Sequence, residues 1–373
     1  MVLIHRSQHT KTCTRMFHNM SALKIFPEMT YAESILSCMN YAMHSNPNSI
    51  LIGQGIGDHK GIFGTTTGLF ETFGPSRIIE SPIAEEMMTG FGLGNSLNGL
   101  YPIMTHIRAD FSFVAMNQIV NLYAKYKYMY GGQFHPAGLI RLIVGRSWGQ
   151  GAQHAQSPQS LFSHIPGIRV IMPYSSNTIL EQYKNEIDRA DRLVISLEHR
   201  NLYDIKFEID ANFSSELRDS RVEQVGTDVT IVATSIMVLE SLRAAQFLIE
   251  KYHLSIEVID MTSTSNPDVD IIFNSVKKTG RLIVADTSWS PYGVGAELAR
   301  IICQKDPSVL RAPIRVIGME HTPCPTGKIL EDMFYPSVRT IVISILETCN
   351  IESQDLPDGE SYRDYYRKFK GPF

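Results

Sequence analysis

Two places in this chain combine side chains able to move a proton with a backbone open to close approach. The first is Ser81-Pro82-Ile83-Ala84-Glu85-Glu86, which runs into Met87-Met88-Thr89-Gly90-Phe91-Gly92-Leu93-Gly94. Ser81 is expected to cap a helix here, with Pro82 in its first position, where no amide partner is lost. Acids in a first turn favour the positive end of the helix dipole, which explains Glu85 and Glu86 without invoking chemistry. The three glycines cost helix propensity, roughly 1 kcal/mol each against alanine, so something is expected to approach this backbone closely. The second place is Gln153-His154-Ala155-Gln156-Ser157, after a loop at 145–151 too glycine-rich for regular structure. An imidazole there can trade a proton near neutral pH, although a lone histidine in such a position is more often structural. A third stretch, Gly53-Gln54-Gly55-Ile56-Gly57, could cradle a phosphate but lacks the Lys-Ser/Thr of a P-loop. A tight strand-to-loop turn is its plainer reading.

The elements that must hold these residues alternate between strand and helix. Thr30-Tyr31-Ala32-Glu33 has capping-box spacing, with Ile35, Cys38, Met39 and Ala42 following at helical period. Apolar runs at 49–53, 77–80, 101–106, 139–144, 169–173 and 193–197 read as buried strands. Phe111-Ser112-Phe113 leads into a helical stretch through Met116, Ile119, Val120 and Tyr123. From 201 to 226 the pattern turns polar, as expected of a linker. A second α/β series follows, with strands at 229–233, 256–259 and 281–285, a helix at 237–251 and another opened by Pro291-Tyr292-Gly293-Val294-Gly295. The run at 341–345 is a further apolar segment. The predicted fold is therefore α/β, two domains, each a mostly parallel sheet flanked by helices.

Composition excludes several classes. The chain has 373 residues, 43% of them hydrophobic and 19% charged, as in ordinary globular proteins. A net charge of −4 offers no footprint for nucleic acid or an anionic membrane. Five scattered cysteines without a Cys-x-x-Cys pair argue against a disulfide framework or a zinc site. They fit a reducing compartment, and a cytoplasmic location is expected. No apolar run approaches the ~20 residues of a membrane span. Residues 1–27 carry Arg6, Lys11, Arg15 and Lys24 with no acid, and are expected to form a poorly ordered extension. Residues 351–373 form a charged, aromatic tail.

Eight segments taken in order carry a family resemblance: SPIAE at 81–85, GLYPI at 99–103, DFSF at 110–113, AKYKYMYGG at 124–132, QHAQS at 153–157, PGIRVIMP at 166–173, VKKTGRLIVADTSW at 276–289 and YGVGAE at 292–297. Together they resemble the beta subunit of thiamine-diphosphate-dependent 2-oxo acid dehydrogenases, the group that serves pyruvate, branched-chain and acetoin substrates. The resemblance implies a pyrimidine-binding domain over 28–200, a linker over 201–226 and a transketolase-type C-terminal domain over 227–350. It implies thiamine diphosphate as cofactor, lying between subunits. Its magnesium and diphosphate would be held by an alpha-type partner through a Gly-Asp-Gly motif that this sequence lacks. An α2β2 assembly follows, with a lipoyl acyltransferase as a further partner and lipoamide as acyl acceptor.

By residue, the resemblance makes Glu85 the acid that hydrogen-bonds the aminopyrimidine ring, and leaves Glu86 the dipole role. It makes Phe111 the ring that stacks on that pyrimidine, and His154 a proton carrier beside the substrate. Arg141 matches a family arginine that either pairs with a carboxylate or forms a salt bridge in the scaffold. Tyr128 and Gly131-Gly132 are expected to pack the helix beneath the site. Four departures stand out: Gln54 where the family carries an acid, Asn117-Gln118 for Asp-Gln, Ala155 for Ser, and Asp260-Met261-Thr262-Ser263 without the family's arginine. They leave open two alternatives, half of a split transketolase-like ketol transferase and a non-catalytic partner that stabilises an alpha chain.

Overall fold

A computed structural model describes residues 23–146, 149–210 and 216–357. The expected N-terminal extension lies almost wholly outside the described residues, as does most of the tail. A short strand β1 (Glu28–Thr30) leads into helix α1 (Tyr31–Ser45), whose start is the expected capping box: Thr30 Oγ1 accepts from the Glu33 amide and Glu33 reaches back to the Thr30 amide. The first sheet then takes β2 (Ser49–Gly53), β3 (Ile78–Glu80), β4 (Tyr101–His106), β5 (Gly138–Val144), β6 (Ile168–Ile171) and β7 (Leu193–His199). Its order is β3-β2-β4-β5-β7-β6 and every pairing is parallel. A sheet buried on both faces reads as near-continuous Ile, Leu and Val, and that is why period-two alternation is missing from these strands. Helix α2 (Glu85–Leu97) packs on one face against β4, and α1 and α3 (Ser176–Arg189) pack together on the other.

The second sheet has the order β13-β12-β10-β11-β9, built from β9 (Arg221–Gln224), β10 (Val229–Ala233), β11 (Ile256–Asp260), β12 (Leu282–Trp289) and β13 (Arg315–Met319). Four of these strands run parallel and β9 pairs antiparallel at the edge. Around it lie α4 (Ile236–Tyr252), α5 (Val269–Thr279), α6 (Val294–Lys305), α7 (Lys328–Phe334) and α8 (Val338–Thr348). The apolar run at 341–345 thus lies in a helix, α8, capped by a Ser337–Thr340 box. The polar stretch after β7 is more structured than a linker: β8 (Lys206–Glu208) pairs with β1, and β9 joins the second sheet.

The two sheets are joined through the end of β6. Met172 donates its amide to the Thr262 carbonyl at 2.7 Å, and Ile171 forms an antiparallel bridge with Ser263. Gln159 Nε2 donates to Asp286 Oδ1 at 2.7 Å. The segment where the family's arginine is missing, 260–263, therefore docks through its backbone and through the Ser263 hydroxyl, which accepts from Arg169 and donates to the Val170 carbonyl.

One ion pair is sealed inside the first sheet. Arg141 on β5 and Glu198 on β7 are both fully buried and meet in a fork, Nε–Oε1 at 2.6 Å and Nη2–Oε2 at 2.9 Å. The hydroxyls of Tyr183 and Tyr203 also donate to Glu198, while Thr65 and Thr105 accept from Arg141. Burial works against the guanidinium charge, yet the Glu198 carboxylate holds the group above its ordinary range. Arg141 is thus a scaffold brace. β4 and β7 both end in buried histidines, and burial pushes His106 down to about 4 and His199 to about 3.

Two stability measurements follow. Arg141→Met leaves Glu198 buried and uncompensated, and is expected to cost about 3–5 kcal/mol by urea unfolding. Adding Glu198→Gln to that variant should recover part of the loss. For the histidines, the unfolded state binds the proton first on acidification. Stability should fall as pH drops from about 6.5 towards 4, by up to roughly 1.4 kcal/mol per pH unit for each group. The His106→Gln protein should show a shallower slope in that window, and an unchanged slope would contradict the burial.

Candidate active site

All six strands of the first sheet point their C-terminal ends to one edge, the usual place for a ligand crevice in a parallel sheet. At that edge the backbone of Ser81 still donates to the Gly53 carbonyl at 2.9 Å, continuing the β3 register. The helix therefore starts later than Ser81 and Pro82 suggest. Ala84 occupies the N-cap position without a side-chain cap, Glu85 is the first helical residue, and the Ser81 hydroxyl donates to the Pro82 carbonyl instead.

That delay separates the two acids. Glu85 is 9% exposed and accepts from Gln54 Nε2 at 3.3 Å. Glu86 faces outwards and accepts from Gln118 Nε2 at 2.9 Å. Gln54, standing where an acid was expected, is thus a hydrogen-bond donor to Glu85, and Gln118 of the altered Asn117-Gln118 pair serves the other acid. The glycine-rich loop is committed too. Glu80 accepts from the Gly55 amide at 2.6 Å and the Gly57 amide at 3.2 Å, so donors that would have cradled a phosphate hold a neighbouring carboxylate.

Of the three helix glycines, Gly92 is required by the chain itself, because a Cβ there would collide with Met104 of β4. A Cβ on Gly94 would meet nothing within 4 Å, and one on Gly90 only Gln118 at 3.6 Å. Beneath the mouth, Thr89 Oγ1 donates to the Glu85 carbonyl at 2.8 Å and lies 3.3 Å from His106 Nε2. With its one proton spent on the carbonyl, Thr89 must accept from Nε2–H, which fixes the neutral tautomer.

Phe111 lies in a 3-10 helix, Ala109–Ala115, packed against α2. The chain continues as a π-helix, Asn117–Tyr123, where an ordinary helix was expected. The half-buried Phe111 ring meets the His154 ring edge to face, with centroids 5.2 Å apart and planes at 80°. His154 is held from both sides. Asp110 Oδ1 accepts from the Gln156 amide at 3.1 Å, and Tyr335 of the second domain donates its hydroxyl to the Ala155 carbonyl at 3.4 Å. Burial raises the Asp110 carboxyl above its usual range. Gly151 at φ +68° admits Thr326, whose methyl occupies the space of a Cβ.

The structure thus brings Phe111 and His154 into contact and sets Glu85 at the mouth of the helix that packs on Phe111. Tyr128 does not pack beneath this site: it is 88% exposed on its short helix. Sequence reasoning missed His106 and the clamping roles of Asp110 and Tyr335. Asp110 sat in the DFSF segment, but nothing in the local pattern marked His106 or Tyr335.

Two family models match: the pyrimidine binding domain of transketolase over residues 27–206 and the C-terminal domain of transketolase over 219–341. The beta-1 subunit of the mitochondrial pyruvate dehydrogenase E1 component of Oryza sativa is 34% identical over 327 residues, covering 86% of this chain and 87% of that one. The corresponding beta subunit of Rickettsia bellii is 33% identical over 329 residues, 87% of this chain and 100% of its own. That of Saccharomyces cerevisiae is 34% identical over 329 residues, 87% and 90% respectively. Among solved structures, an inactive beta4 tetramer of a split-gene transketolase superposes with a TM-score of 0.69 at 21% identity, covering 87% of this chain and 99% of that one. The transketolase of Leishmania mexicana gives 0.66 at 16% identity, covering 91% of this chain and 48% of its own. At these identities the two structures speak for the fold alone. With a third of its residues shared across nearly the whole length of those beta subunits, the chain belongs to the family of 2-oxo acid dehydrogenase beta subunits of the pyruvate dehydrogenase E1 type.

Proposed function

We propose that this chain is the beta half of an enzyme that decarboxylates a 2-oxo acid with thiamine diphosphate and passes the acyl unit to lipoamide, in an α2β2 assembly. The observation that carries the reading is the contact of an aromatic ring with an imidazole, Phe111 on His154, beside a helix that packs on the Phe111 segment and begins with a buried carboxyl, Glu85. Those groups suit the aminopyrimidine end of the cofactor. The amides of the glycine-rich loop are already taken by Glu80 and the sequence has no Gly-Asp-Gly, so the diphosphate and its magnesium fall to an alpha-type partner.

When bound, thiamine diphosphate supplies the electron sink that lets carbon dioxide leave. The residues of this chain bind, orient and move protons. Glu85 shares a proton with a pyrimidine nitrogen, kept in place by Gln54 and by the helix start. Phe111 offers its ring for stacking, worth about 1 kcal/mol beyond the area it covers. His154 exchanges a proton with the substrate, its ring steadied by Phe111. A neutral Gln54 ends any proton relay that an acid at this position would continue.

The rim of the site is apolar. Ile83, Met87, Phe91 and Val114 are exposed around the open sides of Gly90 and Gly94, a surface that fits a partner helix at close range.

Co-expressed with its alpha-type partner, the Glu85→Ala protein should lose at least about a hundredfold in thiamine-dependent decarboxylation. It should still elute as the tetramer on size exclusion. Turnover close to normal would remove Glu85 from the chemistry. The glycines allow a separate test of the contact. Gly94→Leu should hold or slightly raise the melting temperature of this chain while weakening co-purification of the partner, whereas Gly92→Leu should lower the melting temperature through its clash with Met104.

A further inference from the structure

The His154 ring takes its pose from its backbone. Among the described residues nothing hydrogen-bonds the imidazole, and its ring contact is the edge-to-face meeting with Phe111. Whatever fixes the turn that carries His154 therefore fixes the ring. The His154 amide closes that turn on the Gly151 carbonyl at 3.4 Å, and Tyr335 and Asp110 hold the next two residues. A further hold lies deeper and comes from the second domain.

Asp286 stands on β12 with one oxygen crowded and the other bare. Oδ1 accepts from Gln159 Nε2 at 2.7 Å, from Thr234 Oγ1 at 2.6 Å and from the Thr287 amide at 2.8 Å. Oδ2 is buried and meets no donor among the described residues. An oxygen that only accepts obliges the side-chain amide of Gln159 to face it with nitrogen. Gln159 Oε1 is thereby turned towards Ser157, whose hydroxyl donates to it at 2.7 Å. With that proton committed, Ser157 must accept from Thr287 Oγ1, 3.1 Å away. The direction of the whole chain, Thr287 to Ser157 to Gln159 to Asp286, is thus dictated by one carboxyl group. Every member is buried, and Ser157 lies three residues past His154. The segments at 153–157 and 276–289 therefore meet through side chains whose polarity admits a single arrangement. Packing alone gives no reason to keep a bare carboxyl oxygen inside a protein, where it is costly.

We propose that Asp286 is a positioning residue for His154, holding its turn through Gln159 and Ser157 in the pose that aims the imidazole at the substrate. The inference rests on the decarboxylase reading for the task of His154, and on the hydrogen bonds of this chain for its placement.

Two readouts separate placement from mere cohesion of the domains. The first is the rate at which diethyl pyrocarbonate modifies His154 in the full chain, followed on its own peptide by mass spectrometry. The second is thiamine-dependent decarboxylation by the assembly with its alpha-type partner. Asp286→Ala should raise the His154 modification rate at least about threefold, as the turn loosens. It should lower kcat roughly tenfold or more with KM little moved. Asp286→Asn keeps an oxygen able to accept from Gln159, and should return both values to within about twofold. Ser157→Ala cuts the chain beside His154 and should reproduce Asp286→Ala. The double variant should be no worse than either single one, as expected of links in one path. If Asp286→Ala fails to fold, Ser157→Ala and Asp286→Asn carry the same test. The control Glu297→Gln, at an exposed ion pair, should change neither readout. A modification rate that does not rise in Ser157→Ala, whatever the melting temperature does, would overturn the proposal. So would additive effects in the double variant, or an Asp286→Asn protein as impaired as Asp286→Ala. Faster modification with decarboxylation unimpaired would keep the placement and remove His154 from the chemistry.

Discussion

The ion pair between Arg141 and Glu198 is the constraint on which the first domain is hung. Two opposite charges without access to water are tolerated only when each is matched in geometry and every remaining donor or acceptor is occupied. Meeting that demand ties β5 to β7 through the fork, β4 through Thr105, the segment after β2 through Thr65, and α3 through Tyr183. The strand ends that carry Gln54, His106, His199 and the approach to His154 are therefore referenced to one internal fixture. A site assembled from many loops needs such a fixture, because positioning groups must be held to fractions of an ångström for proton transfer.

Around that fixture the edge of the sheet sorts like charges by what they are allowed to touch. Glu80 absorbs the amides of the glycine-rich loop, Glu86 takes a surface glutamine, and Glu85 is left facing inwards with a neutral donor beside it. Three carboxylates within seven residues thus have three distinct environments. The late start of α2 produces this sorting, since a helix beginning at Ser81 would place the acids a turn further on and rotate them around the axis.

Much of this was legible in the sequence. The buried strands announced themselves as short apolar runs, the Thr30–Glu33 box marked its helix to the residue, and the family segments singled out Glu85, Phe111 and His154 as candidates. The failures have a common physical cause. Ser81 and Pro82 carry good local signals for a helix start, but a backbone hydrogen bond from the neighbouring strand overrode them. The 341–345 run has no assignment from sequence because a short apolar run fits strand or helix alike, and its helix is marked by the Ser337–Thr340 box and by packing against α4. Tyr128 belonged to a family pattern yet points to solvent within this chain. His106 and Tyr335 gained their roles from neighbours far away in sequence, which no local window contains.

Tyr335 and Thr326 have a consequence that reaches past a single side chain. Both belong to the second domain, and both press on the turn that presents His154 in the first. The candidate site is consequently a seam, finished only when two sheets close on each other. Substitutions at Thr326 or Tyr335 would therefore reach the imidazole through its backbone, without touching the ring. The pose of His154 is thereby set in part by a surface that the first domain's motifs never mention.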